Sequence, residues 1–288
     1  MRRDCFIFGP VMNDFVMYDG HIYNSSTPLV GAANRGLRYG DGLFETILYS
    51  DGGLHFMDWH FERLFNGLAL LAFEIPPHFT PNALAEQAEH LCKKNGHTSA
   101  RIRINVFRGN GGLYDAENHT PHCIIETWQL PQAGFELNEN GLVTGIYPNA
   151  RKAMDQFSNC KHNNYLPYTM AALHAKKQQW NDAFLLNAAG RVCDATIANV
   201  FIVKDGAIYT PPLEEGCVAG IMRRFMLENL PAHGLSVAEK SITPEELMAA
   251  DEIFVTNAIK GMRWVGRCGD SVYNNLLSTT IFASLLKK

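Results

Sequence analysis

The chain has 288 residues, 47% of them hydrophobic and 19% charged, and its formal net charge is −4. This length allows one large domain or two of ordinary size, and two domains are expected. The low charge content is typical of a protein with a large interior or a permanent subunit interface. Because the net charge is slightly negative, nucleic acid and membrane surfaces are excluded as expected partners, and a small-molecule ligand is favoured.

Apolar runs and cysteines together predict a cytoplasmic protein. The longest apolar runs, such as residues 66–73, are far shorter than a membrane span. Acidic residues and Pro10 interrupt the start of the chain, which is unlike a secretory signal. The seven cysteines are odd in number and form no CxxC pair, so we expect reduced, mostly buried thiols and neither disulfides nor a zinc site.

The first part of the chain combines short strands with two helices. Alternating or β-branched runs predict strands at 6–8, 15–18, 42–49, 54–56 and 100–107. The turn residues at 50–53 predict a hairpin between the third and fourth of these strands. Helices are predicted at 58–72, capped by Asp58, and at 82–94, after Thr80-Pro81. Together these elements predict an α+β unit of about 125 residues.

The pattern loosens near residue 132, where we place a boundary between two domains. The second part has predicted strands at 142–147, 183–187, 199–203, 207–210 and 252–256. The turn Lys204-Asp205-Gly206 predicts a hairpin between the third and fourth of these strands. Helices are predicted at 165–180, from about residue 220, and at 244–250.

Lys161 lies on the approach to the helix predicted at 165–180, with no acid nearer than Asp155. A lysine in such a loop is most often solvated. A desolvated lysine, however, is the amine nucleophile that proteins use in Schiff-base chemistry. From this segment alone, both interpretations stay open.

Two further segments are candidate ligand contacts. Gly220 leads into a predicted helix, where backbone amides converge at the positive end of the helix dipole and bind anions. Thr256, Asn257 and Ala258 follow an apolar strand, a place where small and polar groups often contact ligands in mixed α/β folds. A plain helix start and a plain turn are the alternatives.

Two charged residues also have two interpretations each. Arg63 on its amphipathic helix is either a surface charge, with Glu62 and Asp58 nearby, or a phosphate ligand. Asp194 is the only carboxylate in the stretch GRVCDATIANVF at residues 190–201. An aspartate in this setting either hydrogen-bonds the backbone of a turn or pairs with a charged ligand.

Taken in order, these segments resemble the fold-type IV pyridoxal-phosphate enzymes, which include branched-chain aminotransferase, D-amino-acid aminotransferase and aminodeoxychorismate lyase. The resemblance covers nearly the whole chain. Its most specific parts are RGLRYGDGLFET at 35–46, residues 60–64, Lys161 with 164–166, residues 194–212, 220–223 and 252–257. Several weak motifs in the correct order make this resemblance specific.

The resemblance implies an α+β fold of two domains. A small N-terminal α/β sandwich-like domain is expected at 1–131. A larger, cofactor-binding C-terminal domain is expected at 132–288, with a β-barrel-like sheet core flanked by helices and the active site between the domains. Members of the family are commonly homodimers, so a second copy of the chain is the expected protein partner.

The resemblance also implies pyridoxal 5'-phosphate as the cofactor. Lys161 matches the catalytic lysine that binds the cofactor as a Schiff base and then moves the α-proton of the substrate. Arg63 matches the phosphate-binding arginine, joined by the backbone amides of Ile221 and Met222 and by the group at Asn257-Ala258. No metal is expected.

Asp194 falls five residues before Asn199, where the family usually has a glutamate that pairs with the pyridine nitrogen and keeps it protonated. Without a partner a buried carboxylate would take up a proton, whereas a pyridinium stabilises the ionised form. We therefore expect Asp194 to be the counter-ion of the ring, with a closer ring or a water making up for its shorter side chain. Tyr165 matches, with a one-residue difference in spacing, a tyrosine near the ring hydroxyl.

The shared core does not separate the two reactions of the family. Glu45 and Tyr165 resemble the aminotransferases, whereas the glycine-rich loop after Arg108 and the pair Lys161-His162 resemble the lyase. We expect an aminotransferase that exchanges the amino group of a small amino acid, branched-chain-like or D, with a 2-oxo acid. The first alternative is a lyase that forms 4-aminobenzoate and pyruvate, and the second is a non-catalytic cofactor-binding homologue.

Three residues are predicted to contact the substrate. Tyr39 and Phe44 are expected to line its pocket, because Gly40-Asp41-Gly42 between them makes the strand irregular. Arg108 either binds a substrate carboxylate or braces its own loop.

Overall fold

The computed structural model describes residues 14–131 and 134–287, and the chain divides into two compact units. Residues 14–131 and the short segment Cys160–Asn164 belong to the N-terminal unit. The C-terminal unit contains Gly134–Asn159 and residues 165–287. The segment that carries Lys161 is thus part of the N-terminal unit, although a single boundary near residue 132 assigns it to the second domain. The strand predicted at 6–8 lies outside the described residues.

The N-terminal unit is built on a six-stranded antiparallel sheet. Its strands are β1 (Phe15–Tyr18), β2 (His21–Asn24), β3 (Gly42–Ser50), β4 (Gly53–Leu54), β5 (Ala100–Arg108) and β6 (Pro121–Gln129). Their order across the sheet is β2-β1-β6-β5-β3-β4. The predicted hairpin between β3 and β4 is confirmed, with Ser50 paired to Gly53.

Three helices accompany this sheet: α1 (Arg35–Tyr39), α2 (Met57–Leu70) and α3 (Pro81–Lys94). The start of α3 follows the prediction, since the Thr80 hydroxyl accepts a hydrogen bond from the Ala83 N–H. The prediction that Asp58 caps α2 is wrong. The helix begins one residue earlier, after Phe56 in the left-handed conformation, and Asp58 lies in the first turn.

The core of the N-terminal unit lies between the sheet and the helices α2 and α3. Alternation along β5 buries Ala100, Ile102, Ile104 and Val106 in this core. The main helix contributions are Phe61, Leu64, Leu68, Leu84 and Leu91. Along β3 the same alternation buries Leu43, Glu45 and Ile47. Phe44 points to the other side of the strand and is half-buried.

The C-terminal unit is built on a nine-stranded mixed sheet that curls into a half-barrel. Its strands are β7 (Leu142–Lys152), β8 (Asp182–Asn187), β9 (Val192–Ala195), β10 (Asn199–Lys204), β11 (Ala207–Thr210), β12 (Val237–Glu239), β13 (Glu252–Asn257), β14 (Gly261–Cys268) and β15 (Ser271–Val272). The order is β12-β11-β10-β13-β14-β7-β8-β9, and β15 pairs with β14. β7 runs parallel to β8 and β14, and β12 runs parallel to β11.

The strand predicted at 142–147 is longer in the structure. β7 continues to Lys152, and its pairing with β8 shifts between Ile146 and Arg151. This irregularity hides the continuation from a reading of strand periodicity, because it breaks the alternation. Because β7 continues to Lys152, this residue lies in the sheet, opposite Asn187 of β8.

Four helices flank the curled sheet: α4 (Leu166–Lys177), α5 (Ile221–Asn229), α6 (Pro244–Met248) and α7 (Leu276–Ile281). α4 packs on β7 and β8, and α5 and α7 pack on β13. A second core gathers Phe184, Val200, Ile253 and Val265 from four strands. The predicted α+β class is confirmed.

Among residues 14–131 and 134–287, no helix combines the length and the apolar character that crossing a membrane requires. In the same ranges there is no group of three or more His, Cys, Asp or Glu side chains placed to hold a metal ion. The six cysteines of the described residues are free, and all but Cys160 are buried.

Candidate active site

Glu45, His60 and Arg63 form a buried cluster where β3 faces α2. Arg63 donates from Nε to Glu45 Oε1 at 2.8 Å and from Nη2 to Oε2 at 2.6 Å. His60 Nδ1 lies 2.7 Å from Glu45 Oε2. The two parallel hydrogen bonds fix the plane of the guanidinium group, so the arginine is held in one orientation.

The electrostatics of this cluster favour a charged glutamate and a neutral histidine. Burial acts to raise the pKa of Glu45, but the charge of Arg63 and the hydrogen bond from His60 outweigh it and lower the pKa to about 2. Burial lowers the pKa of His60 more than Glu45 raises it, and the charges of Arg63 and Lys161 act in the same direction as burial. His60 Nε2 is buried and has no hydrogen-bond partner among the described residues.

Strand alternation and helix spacing explain how the cluster forms. Glu45 lies on the buried side of β3 between Leu43 and Ile47. His60 and Arg63 are three residues apart on α2 and therefore share a face. Arg63 thus pairs with Glu45, which lies 18 residues away on β3.

The segment Cys160–Asn164 lies along the start of β3 and places Lys161 beside Phe44. The Phe44 N–H donates to the Lys161 carbonyl at 2.8 Å, and the Asn163 N–H donates to the Gly42 carbonyl at 2.9 Å. Lys161 Nζ lies 4.4 Å from the centroid of the Phe44 ring. The lysine is half-buried, so the interpretation as a solvated loop residue does not describe it.

Two glycines allow this close approach. A Cβ atom on Gly42 would lie 2.1 Å from the Val106 carbonyl oxygen. Gly40 has a φ of +64°, and a Cβ atom there would lie 2.4 Å from Asn164 Oδ1. Only glycine therefore fits at either position while the 160–164 segment stays beside β3.

Tyr39 and Phe44 lie on two different elements of the N-terminal unit. Tyr39 is the last residue of α1, and the guanidinium carbon of Arg35 lies 5.0 Å from the centroid of its ring. Phe44 on β3 contacts Lys161 and also Arg103, whose guanidinium carbon is 4.2 Å from the ring centroid. Of the two residues, Phe44 is the one with a contact to the predicted catalytic lysine.

Arg108 is directed into the fold of its own unit. Its side chain is buried, with Nε 3.1 Å from Asp41 Oδ2, Nη1 3.1 Å from the Ala72 carbonyl and Nη2 2.5 Å from the Leu71 carbonyl. Asp41 also accepts a hydrogen bond from Arg35 Nε at 2.8 Å. These contacts favour the bracing role of Arg108 over the binding of a substrate carboxylate.

In the C-terminal unit, Asp194 is the centre of a buried polar cluster. Lys152 Nζ lies 2.8 Å from Asp194 Oδ2, and the Tyr168 hydroxyl donates to the same oxygen at 2.7 Å. The Val218 N–H donates to Oδ2 at 3.1 Å, and Asn199 Nδ2 donates to Oδ1 at 3.0 Å. Asp194 therefore has a charged protein partner, because the ammonium group of Lys152 lies against its carboxylate.

Tyr168 supports this cluster as a hydrogen-bond donor. Burial and then the negative charge of Asp194 raise its pKa well above the ordinary value for tyrosine. The phenol therefore keeps its proton and donates a hydrogen bond to the carboxylate. Tyr165, the tyrosine chosen from the sequence, is half-buried at the N-cap position of α4, one turn before Tyr168.

The start of α5 has the features of an anion site. Its N-cap is Gly220, which offers no side chain to the first helical N–H groups, including those of Ile221 and Met222. A Cβ atom on Gly220 would lie 1.8 Å from Asn199 Oδ1, so the residue must be small. Thr256 on β13, the strand against which α5 packs, has a buried Oγ1 without a partner among the described residues.

Asn257 and Ala258 lie where β13 ends in a turn. Asn257 Oδ1 accepts hydrogen bonds from the N–H groups of Ile259 at 3.0 Å and Lys260 at 2.8 Å. Its Nδ2 donates to the Ile197 carbonyl at 3.3 Å. The Asn257 side chain therefore shapes the turn.

The family model for class IV amino-transferases matches residues 42–268, which is most of the chain. This chain belongs to the class IV aminotransferase family. It is 31% identical over 235 residues to the aminodeoxychorismate lyase of Vibrio harveyi, which covers 81% of this chain and 85% of that protein. It is also 29% identical over 252 residues to the branched-chain-amino-acid aminotransferase of Pseudomonas aeruginosa. This match covers 84% of this chain and 80% of that protein.

A solved structure supports the same assignment. The branched-chain aminotransferase from the archaeon Thermoproteus uzoniensis, crystallised with norvaline, is similar to this chain with a TM-score of 0.83 and 25% identity. The similarity covers 94% of this chain and 93% of that chain. Class IV aminotransferases use pyridoxal phosphate, so the predicted cofactor is confirmed.

The described residues suit the chemical groups of this class IV cofactor. A phosphate binds to an oriented cation or to unpaired N–H and O–H donors. In the N-terminal unit Arg63, in its bidentate pair, is such a cation. In the C-terminal unit the uncapped start of α5 and the buried hydroxyl of Thr256 are such donors. A ring nitrogen needs a carboxylate in a water-poor setting, and Asp194 is such a carboxylate. An aldehyde needs an amine, and Lys161 supplies one.

Four residues that build the surroundings of Arg63 and Asp194 are absent from the set of cofactor ligands predicted from the sequence. They are Glu45 and His60, beside Arg63, and Lys152 and Tyr168, beside Asp194. Glu45 had only its resemblance to the aminotransferases as a signal. Tyr168 follows Tyr165 by one helical turn, which is a weak signal for a shared face. Lys152 had none, because it lies beyond the predicted end of its strand.

Proposed function

We propose that the protein is an aminotransferase that exchanges the amino group of a small amino acid, branched-chain-like or of D configuration, with a 2-oxo acid. The observation that carries this proposal is the apolar face of Phe44 beside Lys161. Backbone hydrogen bonds hold its segment against β3, and its Nζ lies 4.4 Å from the centroid of the Phe44 ring. An aromatic face removes part of the water from the amine and offers an apolar surface to a small aliphatic side chain.

Each site residue has a defined task in this proposal. When bound, pyridoxal phosphate supplies an aldehyde carbon that reacts with amines and a ring that withdraws electrons from the α-carbon. Lys161 Nζ removes the proton from the α-carbon of the amino acid. Arg63, oriented by Glu45, is the candidate phosphate ligand of the N-terminal unit, and the N–H groups at the start of α5 are the candidate phosphate ligands of the C-terminal unit. Asp194 supplies the negative charge opposite the ring nitrogen, and Tyr165 is the candidate neighbour of the ring hydroxyl.

Aminodeoxychorismate lyase is the second candidate function. The observation that favours it is the similarity to the Vibrio harveyi lyase over most of both chains. Its substrate carries additional carboxylates, for which Arg108 is the sequence-based candidate. Because the Arg108 donors point to Asp41 and to backbone carbonyls, that support is weakened and the aminotransferase is favoured.

A product assay with two substrates separates the functions. The protein with pyridoxal phosphate is mixed with 2-oxoglutarate and a panel of L- and D-amino acids, and separately with aminodeoxychorismate. Formation of glutamate supports the aminotransferase, whereas release of pyruvate and 4-aminobenzoate supports the lyase. Lys161→Ala should abolish either product, and Lys176→Ala, on the exposed side of α4, is the matched control. No product from either mixture would leave only the non-catalytic homologue.

We also propose that two copies of the chain associate. The support is the family resemblance together with the low charge content of 19%. Light scattering during gel filtration should give twice the chain mass of 32.2 kDa. A mass equal to that of one chain would contradict the homodimer and would leave the assigned reaction unaffected.

A further inference from the structure

Lys152 and Asp194 form an ion pair inside the C-terminal unit. Their side chains are 6% and 3% exposed, and Nζ lies 2.8 Å from Oδ2. A buried ammonium group and a buried carboxylate are each unfavourable without an opposite charge. Lys152 and Asp194 therefore supply opposite charges to each other in the interior.

The two oxygens of Asp194 have different numbers of donors. Oδ2 is the acceptor for Lys152, for the Tyr168 hydroxyl and for the Val218 N–H. Among the described residues, Oδ1 accepts only from Asn199 Nδ2. Because a carboxylate oxygen has two lone pairs, Oδ2 is saturated, whereas Oδ1 has capacity for one more donor.

The donors on Oδ2 also fix the direction of the carboxylate. They come from separate parts of the unit: the end of β7, the first turn of α4 and the backbone just before α5. An aspartate side chain has only two rotatable bonds, so contacts of this kind leave it one orientation. Oδ1 is thereby presented in a defined direction.

We propose that Lys152 is a positioning residue, which holds Oδ2 of Asp194 and so presents Oδ1 to the ring nitrogen of pyridoxal phosphate. This inference rests on the proposed function, in which Asp194 is the counter-ion of the ring. It gives a physical reason why an aspartate serves where the family usually has a glutamate. The shorter side chain of the aspartate is held in place by the cation behind it.

The test compares two cofactors that differ only at the ring nitrogen. The full-length protein is reconstituted with pyridoxal phosphate or with its 1-deaza analogue, in which C–H replaces the ring nitrogen, and both dissociation constants are measured by absorbance titration. The ratio of the two constants isolates the contact to the nitrogen. A residue that only stabilises the fold would change both constants by the same factor and leave the ratio unchanged.

Lys152→Met should reduce the preference for pyridoxal phosphate by about tenfold, the size expected for a charge-assisted hydrogen bond. Lys204→Met is the matched control, because Lys204 also ends a strand and pairs with an aspartate, Asp251, at 3.0 Å, but on the surface. Its ratio should equal that of the wild type. If Lys152→Met does not fold, Lys152→Gln retains a donor for Oδ2 without the charge and should reduce the ratio by at least about threefold.

The outcomes separate the inference from the function on which it rests. A wild-type protein that binds both cofactors equally would show that Asp194 does not serve the ring nitrogen. A wild type with a clear preference, which Lys152→Met or Lys152→Gln retains in full, would overturn the role of Lys152 alone. The proposed aminotransferase function is tested separately, by formation of glutamate in the product assay of the wild type.

Discussion

Arg63 meets Glu45 side-on, through hydrogen bonds of 2.8 and 2.6 Å from Nε and Nη2 to the two carboxylate oxygens. The glutamate is 1% exposed and the arginine 13%, so this ion pair lies largely out of water. His60 Nδ1 contacts the same carboxylate at 2.7 Å. A buried strand residue thus decides where the candidate phosphate ligand points.

The first prediction follows from this orientation. Glu45→Gln keeps the shape of the side chain but replaces one acceptor oxygen by an amide donor, which breaks the bidentate pair. We expect the dissociation constant of pyridoxal phosphate to rise by about tenfold, with a much smaller change for pyridoxal, which lacks the phosphate. Glu62→Gln, on the exposed face of the same helix, is the control. An equal change for both compounds would argue against a phosphate role for Arg63.

The second prediction concerns stability in acid. The folded pKa of Glu45 is about 2 and its ordinary value is 4.5. Because the folded value is the lower one, the stabilisation is complete above pH 4.5 and is lost as the pH falls toward about 2. At 1.36 kcal/mol per unit, this contribution is about 3 kcal/mol. Urea unfolding measures the free energy of unfolding across this pH range. It should fall less steeply with decreasing pH for Glu45→Gln than for the wild type, and equal slopes would contradict the prediction.

Much of the fold could be predicted because local signals decide it. Thr80-Pro81 sets the start of α3, and Lys204-Asp205-Gly206 sets the hairpin of β10 and β11. The strict alternation along β5 is visible in the sequence as well as in the burial of its residues. By contrast, β7 was predicted too short, since a pairing irregularity interrupts its pattern before Lys152.

The candidate site was predictable to a different extent. Lys161, Arg63 and Asp194 emerge from motifs that occur in a characteristic order along the chain. Their partners do not, because Glu45 is 18 residues from Arg63 and Lys152 is 42 residues from Asp194. Contacts at such separations depend on strand register and helix packing, which no local spacing encodes. For this reason the sequence does not reveal that Lys152 pairs with Asp194.

The third prediction uses the ion pair of Lys152 and Asp194 as a test of stability. Asp194→Asn leaves the ammonium group of Lys152 buried without its counter-charge, so the free energy of unfolding should fall by about 3 to 5 kcal/mol. Combining it with Lys152→Met removes both charges and should recover most of that loss. Chemical denaturation of the three variants measures the coupling. Additive losses in the double variant would show that the pair is not a coupled buried unit.

The fourth prediction distinguishes the two roles of Arg108. Its donors hold Asp41 and the carbonyls of Leu71 and Ala72, so Arg108→Gln should lower the free energy of unfolding by about 3 kcal/mol. The KM for the 2-oxo acid should change less than about twofold, a shift below about 0.5 kcal/mol. Arg38→Gln, an exposed arginine of the same unit, is the control for stability. A large rise in KM with unchanged stability would instead support a substrate carboxylate site.

The fifth prediction concerns the start of α5. Gly220 has an ordinary φ of −70°, so an alanine there is not strained by the backbone. Its Cβ atom would lie 1.8 Å from Asn199 Oδ1, and Asn199 would have to leave Asp194 and the Val218 carbonyl, to which it donates at 3.0 and 2.8 Å. Gly220→Ala should therefore lower stability by about 1 to 3 kcal/mol and weaken pyridoxal phosphate binding by about tenfold.

Gly31→Ala is the matched control for this change, because a Cβ atom on Gly31 meets no atom within 4 Å. Calorimetry and cofactor titration of the two variants separate a steric effect at α5 from a general cost of adding a methyl group. If Gly220→Ala lowers stability but binds pyridoxal phosphate like the wild type, then the start of α5 supports the fold without serving the phosphate. If it also loses affinity for the phosphate-free pyridoxal to the same extent, the effect acts through Asn199 and Asp194 on the ring.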